Sequence, residues 1–557
     1  LFARNKRERV TNMYTGYRGP DTPITVNESQ GSTLENLRQD TNYLSSNIYG
    51  EYTPKLGDDH TLKLLAGWNL ETKKYRGTTI KREGLTVPSK PSFGLMDGLT
   101  SDPVVSGYDW SYVGAFFRAN YGYQGKYLAE FSCRYDGSSK FPENSKWGFF
   151  PSASIGWRLS EEKFMEWSRN WLDNFKIRLS AGSMGNGNID PYKYIDYMTI
   201  KTSTVVIGDA LGSYTTAPGA IPLSLTWETA TTYDVGFDMD LFRNRLSIGF
   251  DWYRRYTTDM YTVGVSLPSV YGTDAPKGNN ASLKTNGWEL SVGWRDSFEL
   301  GGKAFSYNVK AMVWDARTWV TEYINPTGAL GDYYEGKELG EIWGYRVEGL
   351  FRDQEDIDSW AKQSFGEVKP GDIKYLDLNG DGIVDNYDTK PIGYSDIPEI
   401  VYGFGFSLQW KAFDLSAFFQ GVAHVSFSTL TDQTQAFVGR NLKESSVFAD
   451  LYGNTWTPEN PGAKYPRMTT GAIDNNNQLS TFWMANGRYL RLKNLELGYT
   501  LPKRIANKIA MQSLRVYLSG VNLFTFSPFK LWDPDLQTGA TNYPNNRIIN
   551  LGLTIGF

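Results

Sequence analysis

In segment after segment of this chain, apolar residues recur at every second position and polar residues fill the places between. Leu62, Leu64, Ala66 and Trp68 share one parity, against Lys63 and Gly67. Val113, Ala115, Phe117, Ala119 and Tyr121 repeat the pattern, and so do Phe175, Ile177, Leu179 and Ala181 against Lys176, Arg178 and Ser180. Period two puts alternate side chains on opposite faces, so each run reads as a strand with one apolar face. The last run is the cleanest, with Leu551, Leu553, Ile555 and Phe557 against Asn550, Gly552, Thr554 and Gly556. A bare apolar edge strand is an aggregation hazard in water. A membrane barrel turns such a face to lipid and closes its edges.

The opposite face is unlike a dry core. Asp234, Asp238, Asp240 and Asp251 lie on the polar side of one hairpin, and unpaired carboxylates in that number need water. Connections also alternate in length. Short turns at 54–59, 124–125, 243–244, 296–304 and 411–412 trade places with long loops, the asymmetry of outer-membrane barrels. A propeller would show internal repeats of about 40–50 residues, and none is found. The expected fold is therefore all-β, a transmembrane antiparallel β-barrel with about 16 strands in this chain.

Going along the chain, residues 1–14 are expected to form a first strand, followed by a polar loop to about 42. Leu44, Ile48 and Tyr52 mark the next strand. Loops are expected over 74–107, 136–146, from Gly182 to about 228, 321–398 and 425–487. Residues 160–171 are expected to form a short amphipathic helix with Ser160 as N-cap. The parity switch from Leu490 and Leu492 to Leu495 and Leu497 calls for a bulge.

Net charge is −4 with pI ≈ 5.6, which gives no reason to expect nucleic acid. Aromatics are 15% of the residues, which suits interfacial girdles. Mean hydropathy is −0.44, and no apolar run approaches the ~20 residues of a membrane helix. The single cysteine, Cys133, excludes an intrachain disulfide and is expected to be an apolar filler. With no signal peptide at Leu1 and a strand-like start, the chain is expected to be a fragment or processed form that lacks an N-terminal part.

Catalytic constellations are missing, and an enzyme is not expected. The two histidines, His60 and His424, have no readable nucleophile or metal partner. Gly182-Ser183-Met184-Gly185-Asn186-Gly187 mimics a phosphate loop, but no Lys-Ser/Thr or helix follows, so a flexible loop is expected. Trp343, Tyr345, Trp456, Trp483 and Trp532 are expected to pack within folded loops, with stacking on sugars the alternative. One motif stands out. Asp377, Asn379, Asp381, Gly382 and Asp385 fall at positions 1, 3, 5, 6 and 9 of an EF-hand-like calcium loop, with Ile383 offering its carbonyl at 7 and Asp388 at 12. Asp388 is shorter than the usual glutamate, and no clear helices flank the loop. A bare Asx/Gly turn is the competing reading.

Several stretches resemble one family. They include Ser154-Ile155-Gly156-Trp157-Arg158-Leu159-Ser160-Glu161-Glu162, Asn286-Gly287-Trp288-Glu289-Leu290, Gly340-Glu341-Ile342-Trp343-Gly344-Tyr345, Gly371-Asp372-Ile373-Lys374-Tyr375, Tyr489-Leu490-Arg491-Leu492-Lys493-Asn494-Leu495 and Gly520-Val521-Asn522-Leu523-Phe524. In order and spacing they are similar to the SusC/RagA family of TonB-dependent outer-membrane importers from Bacteroidetes, from about residue 44 to the end. The resemblance implies a 22-stranded barrel, an N-terminal plug, a TonB-contacting segment and a SusD-like surface lipoprotein as lid, with dimers of SusC/SusD pairs a further expectation. The plug, the TonB segment and about six strands have no counterpart here, so this chain is expected to be the C-terminal barrel part. Import of oligosaccharides or peptides across the outer membrane is the first functional reading. A surface glycan-binding or adhesin β-protein without transport is the alternative.

Overall fold

The computed structural model describes residues 2–557 except 12–14, 17–24, 27–31, 85–89, 196–197, 208–209, 217–220, 223–224, 265–275, 327, 432–447, 470–472 and 540–541. Residues 12–14 of the expected first strand, and much of the polar loop after it, lie outside that set. Sixteen strands form one antiparallel sheet whose order follows the chain. They are β1 (Phe2–Thr11), β2 (Thr33–Tyr52), β3 (His60–Glu83), β4 (Val104–Tyr123), β5 (Tyr127–Ser138), β6 (Trp147–Arg158), β7 (Leu172–Asn186) and β8 (Glu228–Leu241). Then come β9 (Leu246–Val263), β10 (Lys277–Leu300), β11 (Lys303–Tyr323), β12 (Ile400–Trp410), β13 (Phe413–Ala423), β14 (Tyr489–Thr500), β15 (Ser513–Phe526) and β16 (Ile548–Gly556). Among the described residues β1 and β16 are the two edges of this sheet and do not pair with each other.

Register joins the single-strand patterns into bands. Leu551, Leu518, Leu497, Leu415, Leu408 and Tyr307 lie side by side across six strands. Leu62, Tyr121, Ala129, Ile155, Leu179, Val235, Trp252 and Trp288 do the same across eight others. Leu551 is 77% exposed and Ile155 57%. Among the described residues no second layer of protein covers this face, so lipid is the phase that takes it out of water. The row beside it reads Lys63, Asn120, Glu130, Ser154, Ser180 and Asp234. One face meets hydrocarbon and the other a wet lumen.

Gly301-Gly302 forms a two-residue turn, with φ of 61° and 70°. Both residues sit in the left-handed region that a two-residue hairpin of matching twist requires. The expected turn at 296–304 is therefore shorter, because pairing runs to Leu300 and Lys303. The expected bulge is present: the register of β14 slips between Phe418 and Phe419 on one side and between Leu492 and Asn494 on the other.

Three expectations on boundaries need correction. β2 begins at Thr33 rather than after 42, and the loop expected at 74–107 shrinks because β3 runs to Glu83 and β4 starts at Val104. Beyond the lipid-facing band no row of alternating apolar residues is needed, so apolar alternation fades while the hydrogen-bond ladder continues. Gly182–Asn186 likewise belong to β7 rather than to a loop. Residues 160–171 form no α-helix; two 3₁₀ turns, Leu159–Glu161 and Lys163–Ser168, stand there, and Ser160 caps neither.

Candidate functional site

Several charges of the lumenal face are paired. Arg178 on β7 donates from Nε to Asp238 Oδ2 at 2.9 Å and from Nη2 to Asp251 Oδ2 at 3.1 Å, while Lys176 Nζ stands 3.3 Å from Asp238. Arg515 reaches Asp414 and Glu496 at 2.5 and 2.6 Å. Arg134 and Asp136 pair at 2.9 Å. Of the four aspartates expected to be wet, Asp238 and Asp251 thus have a shared cation. Asp240 accepts from Asn174. Higher on the same face a recess of about 620 Å³ is lined by Trp110, Tyr112, Arg134, Lys140, Asn69 and Glu71. Lys140 Nζ lies 5.1 Å from the Trp110 ring centre. Rings flanked by amides and fixed charges offer stacking and hydrogen bonds to a polar solute.

At the long-loop end, the described residues of 324–399 and 424–488 fold together into one body. Its apolar centre is Tyr345, Ile373, Tyr375, Val384, Leu451, Tyr465 and Trp483. A polar seam joins the two segments. Asp372 is 0% exposed and accepts from Arg467 Nη2 at 3.0 Å and from the Asn476 amide at 2.9 Å. Gln363 donates to Asn475 at 2.7 Å, Ile373 N donates to Asn476 at 2.8 Å, and Trp483 Nε1 donates to the Asn476 carbonyl at 2.8 Å. Sequence reasoning missed this seam. The run Asp474-Asn475-Asn476-Asn477 was its only signal, since three amides together in a loop must find partners if buried. A further loop, between β15 and β16, is held by Arg491. Its guanidinium is buried between Asp533 and Asp535 at 2.5 and 2.6 Å, and Phe427 packs on Phe529 and Trp532.

The loop aromatics follow the packing expectation at Tyr345 and Trp483, both buried, and at Trp532, which stacks on Phe448. Trp343 donates to Glu341. His60 hydrogen-bonds Tyr121 on the outer face, and His424 stacks on Tyr394 beside Glu399.

Within the same loop body, Asp377–Asp388 is a tight, self-bonded turn. Asp377 accepts from Gly380 N and Gly382 N at 2.6 and 2.8 Å, and Asn379 Oδ1 accepts from Asp381 N at 2.9 Å. Asp381 accepts from Ile383 N at 2.8 Å, and Asp385 caps the turn at Asn386–Asp388. Asp388 is fully buried and accepts from Leu378 N, Asn379 N and Asp385 N. Gly382 has φ of 86°, the left-handed residue at the sharp turn. Ile383 pairs with Lys362 through a short parallel bridge, its side chain outward. The six residues therefore share one turn. Among the described residues no group of three or more His, Cys, Asp or Glu is placed to hold a metal by itself, so Asn379 and the Ile383 carbonyl would have to complete a site.

A second ion pair braces this body. Lys374 donates to Asp356 at 2.8 Å and lies 3.8 Å from the Trp360 ring centre. The hydrogen bond from Lys374, with a further one from the Arg352 backbone, outweighs burial and pulls the Asp356 carboxyl down to about 2. A depressed carboxylate adds stability that is complete above its unfolded value near ~4 and is lost as pH falls through the folded one. Amide protection factors around 352–376, with the pH dependence of intrinsic exchange divided out, are expected to be steady from pH 7 to 5 and to fall below pH 4. Asp356→Asn should remove that acid step; an unchanged acid step in the variant would contradict the assignment.

Three comparisons bear on this architecture. Residues 4–523 match the family described as TonB dependent receptor-like, beta-barrel. TonB-dependent receptor P3 of Formosa agariphila is 31% identical over 563 residues, covering 95% of this chain and 53% of the relative. TonB-dependent receptor SusC of Bacteroides thetaiotaomicron is 28% identical over 484 residues, covering 80% of this chain and 44% of that protein. Among solved structures, the RagAB peptide importer in its open-open state superposes with a TM-score of 0.79 at 22% identity, over 100% of this chain and 58% of the other. The chain spans about half the length of the curated relatives it matches.

Proposed function

This chain belongs to the TonB-dependent receptor-like β-barrel family, is a relative of SusC and RagA in the outer membrane, and on that premise we propose that it is the barrel of an importer for polar solutes. The observation that carries the reading is the lumenal face, where paired ions and the Trp110 recess line a wet passage behind a lipid-facing wall. TonB is proposed to supply the energy. A SusD-like lipoprotein is proposed as the lid over the packed long loops. The solute is an oligosaccharide or a peptide.

The test is uptake. A strain lacking the full-length gene should fail to accumulate one class of labelled solute, oligosaccharide or peptide. The intact gene should restore accumulation, and loss of TonB should abolish it. Trp110→Ala should raise the half-saturating concentration severalfold. Binding of glycans to cells with no TonB-dependent accumulation would favour the adhesin reading.

We further propose that Asp377, Asn379, Asp381, Asp385, Asp388 and the Ile383 carbonyl hold Ca²⁺ and brace the loop body. What supports it is the spacing of oxygen donors around Gly382, a donor set suited to a hard cation. Sites of this class fill at about 10⁻⁴–10⁻³ M, a range available outside cells. Titration calorimetry of the purified protein should show millimolar or tighter binding that is lost in Asp377→Ala/Asp381→Ala. Equal heats from both proteins would reduce the segment to a hydrogen-bonded turn.

A further inference from the structure

Connections at the short-turn end are brief, except at residues 159–171 and 501–512. The first of these is odd in its side chains. Phe164 and Trp167 are 60% and 68% exposed, with Trp171 and, from the neighbouring turn, Phe242 partly so. A turn bathed in water gains nothing by presenting four large rings.

Its contacts show which way it faces. Glu162 accepts hydrogen bonds from Tyr127 OH at 2.5 Å and from Trp157 Nε1 at 3.1 Å. Tyr127 and Trp157 are cross-strand partners on the apolar, lipid-facing side of the wall. These bonds tie the start of the segment, at Glu162, to the outward face of the wall. Trp171 lies 5.8 Å from Trp167, and the Trp171 carbonyl accepts from Phe242 N at 2.7 Å. The Phe242 ring in turn stands 6.3 Å from Trp294, again on the outward face.

The neighbouring turn is built to hold this arrangement. Phe242, Arg243 and Asn244 have φ of 57°, 62° and 58°, a conformation that a bulky residue adopts only when its surroundings impose it. The bond from Phe242 N to Trp171, and another from Asn244 N to Asp173 at 2.8 Å, fix it. The charges are also matched, with Arg158 near Glu161, Arg169 near Glu166 and Lys126 near Glu162 at 3.7–3.9 Å. A paired, nearly neutral rim around exposed rings suits a zwitterionic headgroup layer.

We propose that residues 159–171, with Phe242, form an interfacial collar whose Phe164 and Trp167 rings sit among the headgroups and upper acyl chains of the periplasmic leaflet. The occupant is phospholipid, because the patch is continuous with the lipid-facing band through Tyr127, Trp157 and Trp294. The proposal rests on the barrel orientation above. It extends membrane contact from the strands to a connection that would otherwise be assigned to the periplasm.

The experiment uses full-length protein in phosphatidylethanolamine/phosphatidylglycerol nanodiscs, with Cys133→Ser as background. Nitroxides are attached at Phe164→Cys, Trp167→Cys, Leu290→Cys and, in the exposed 53–59 turn, Asp58→Cys. Collision with oxygen should exceed collision with a water-soluble nickel chelate at 164 and 167, to a lesser degree than at 290, and the order should reverse at 58. If 164 and 167 behave like 58 while 290 is lipid-like, the collar is wrong and the barrel stands. If protection at 164 and 167 persists in detergent micelles with no lipid-like oxygen signal, a protein surface covers the rings and the lipid proposal is likewise overturned. Should 290 also behave like 58, the barrel orientation is what fails.

Discussion

Replacing Leu290 with arginine is expected to destabilise the barrel by about 2–4 kcal/mol, the cost of a charge on a lipid-facing strand near the bilayer centre. Leu290 lies between Trp288 and Trp294 on β10 and pairs with Phe250 and Val313 on either side. No carboxylate shares that row of three. Its neighbour Ser291 points the other way, into the face that carries Glu289 and Lys310. Ser291→Arg should therefore cost less than about 1 kcal/mol, since a lumenal charge stays hydrated. Urea unfolding in lipid vesicles, followed by tryptophan fluorescence, measures both. Equal losses for the two variants would mean that the faces are not in different phases.

The second large effect is expected in the loop body. Arg467→Ala leaves the Asp372 carboxylate fully buried with its cation removed. Breaking a buried pair from one side costs about 3–5 kcal/mol. Asn476 and the Lys369 N–H still bond Asp372, which places the expected loss near the lower end. The loss should be local. Amide exchange in 363–376 and 474–484 should accelerate by two orders of magnitude or more, while β8–β11 keep their protection. Asp372→Asn in the Arg467→Ala background should recover part of the protection, because a neutral amide is cheaper to bury. An unaltered loop in Arg467→Ala would show that the seam contributes little.

The wall was readable because a membrane imposes one rule on every strand. Leu551, Trp288 and Ile155 obey it without knowledge of their neighbours, so single-strand parity already indicates the sheet, its strand count and the bulge near Lys493. The ends of β2, β3 and β7 were not readable. Around Thr33 a lone Leu34 packs on Met96 instead of joining a period-two apolar row, and at Glu83 and Asn186 backbone pairing likewise continues without an alternating apolar imprint. The loop body was hidden for a different reason. Asp372 meets Arg467 and Asn476 across about a hundred positions of sequence, and nothing local to either segment encodes that meeting. The 3₁₀ turns after Arg158 look helical in sequence because Ser160 stands as an N-cap candidate with Glu161 and Glu162 in the first turn. Tertiary bonds from Glu162 to Tyr127 and Trp157 decide their shape instead.

The orientation of the two faces underlies everything above, and adjacent labels on β10 test it most directly. Nitroxides at Leu290→Cys and Glu289→Cys, each with Cys133→Ser in lipid bilayers, sample neighbouring residues of opposite parity. Collision with dissolved oxygen is expected to dominate at 290 and collision with the aqueous nickel reagent at 289. The reverse order, or no difference between the two, would contradict a lipid-facing wall around a wet lumen.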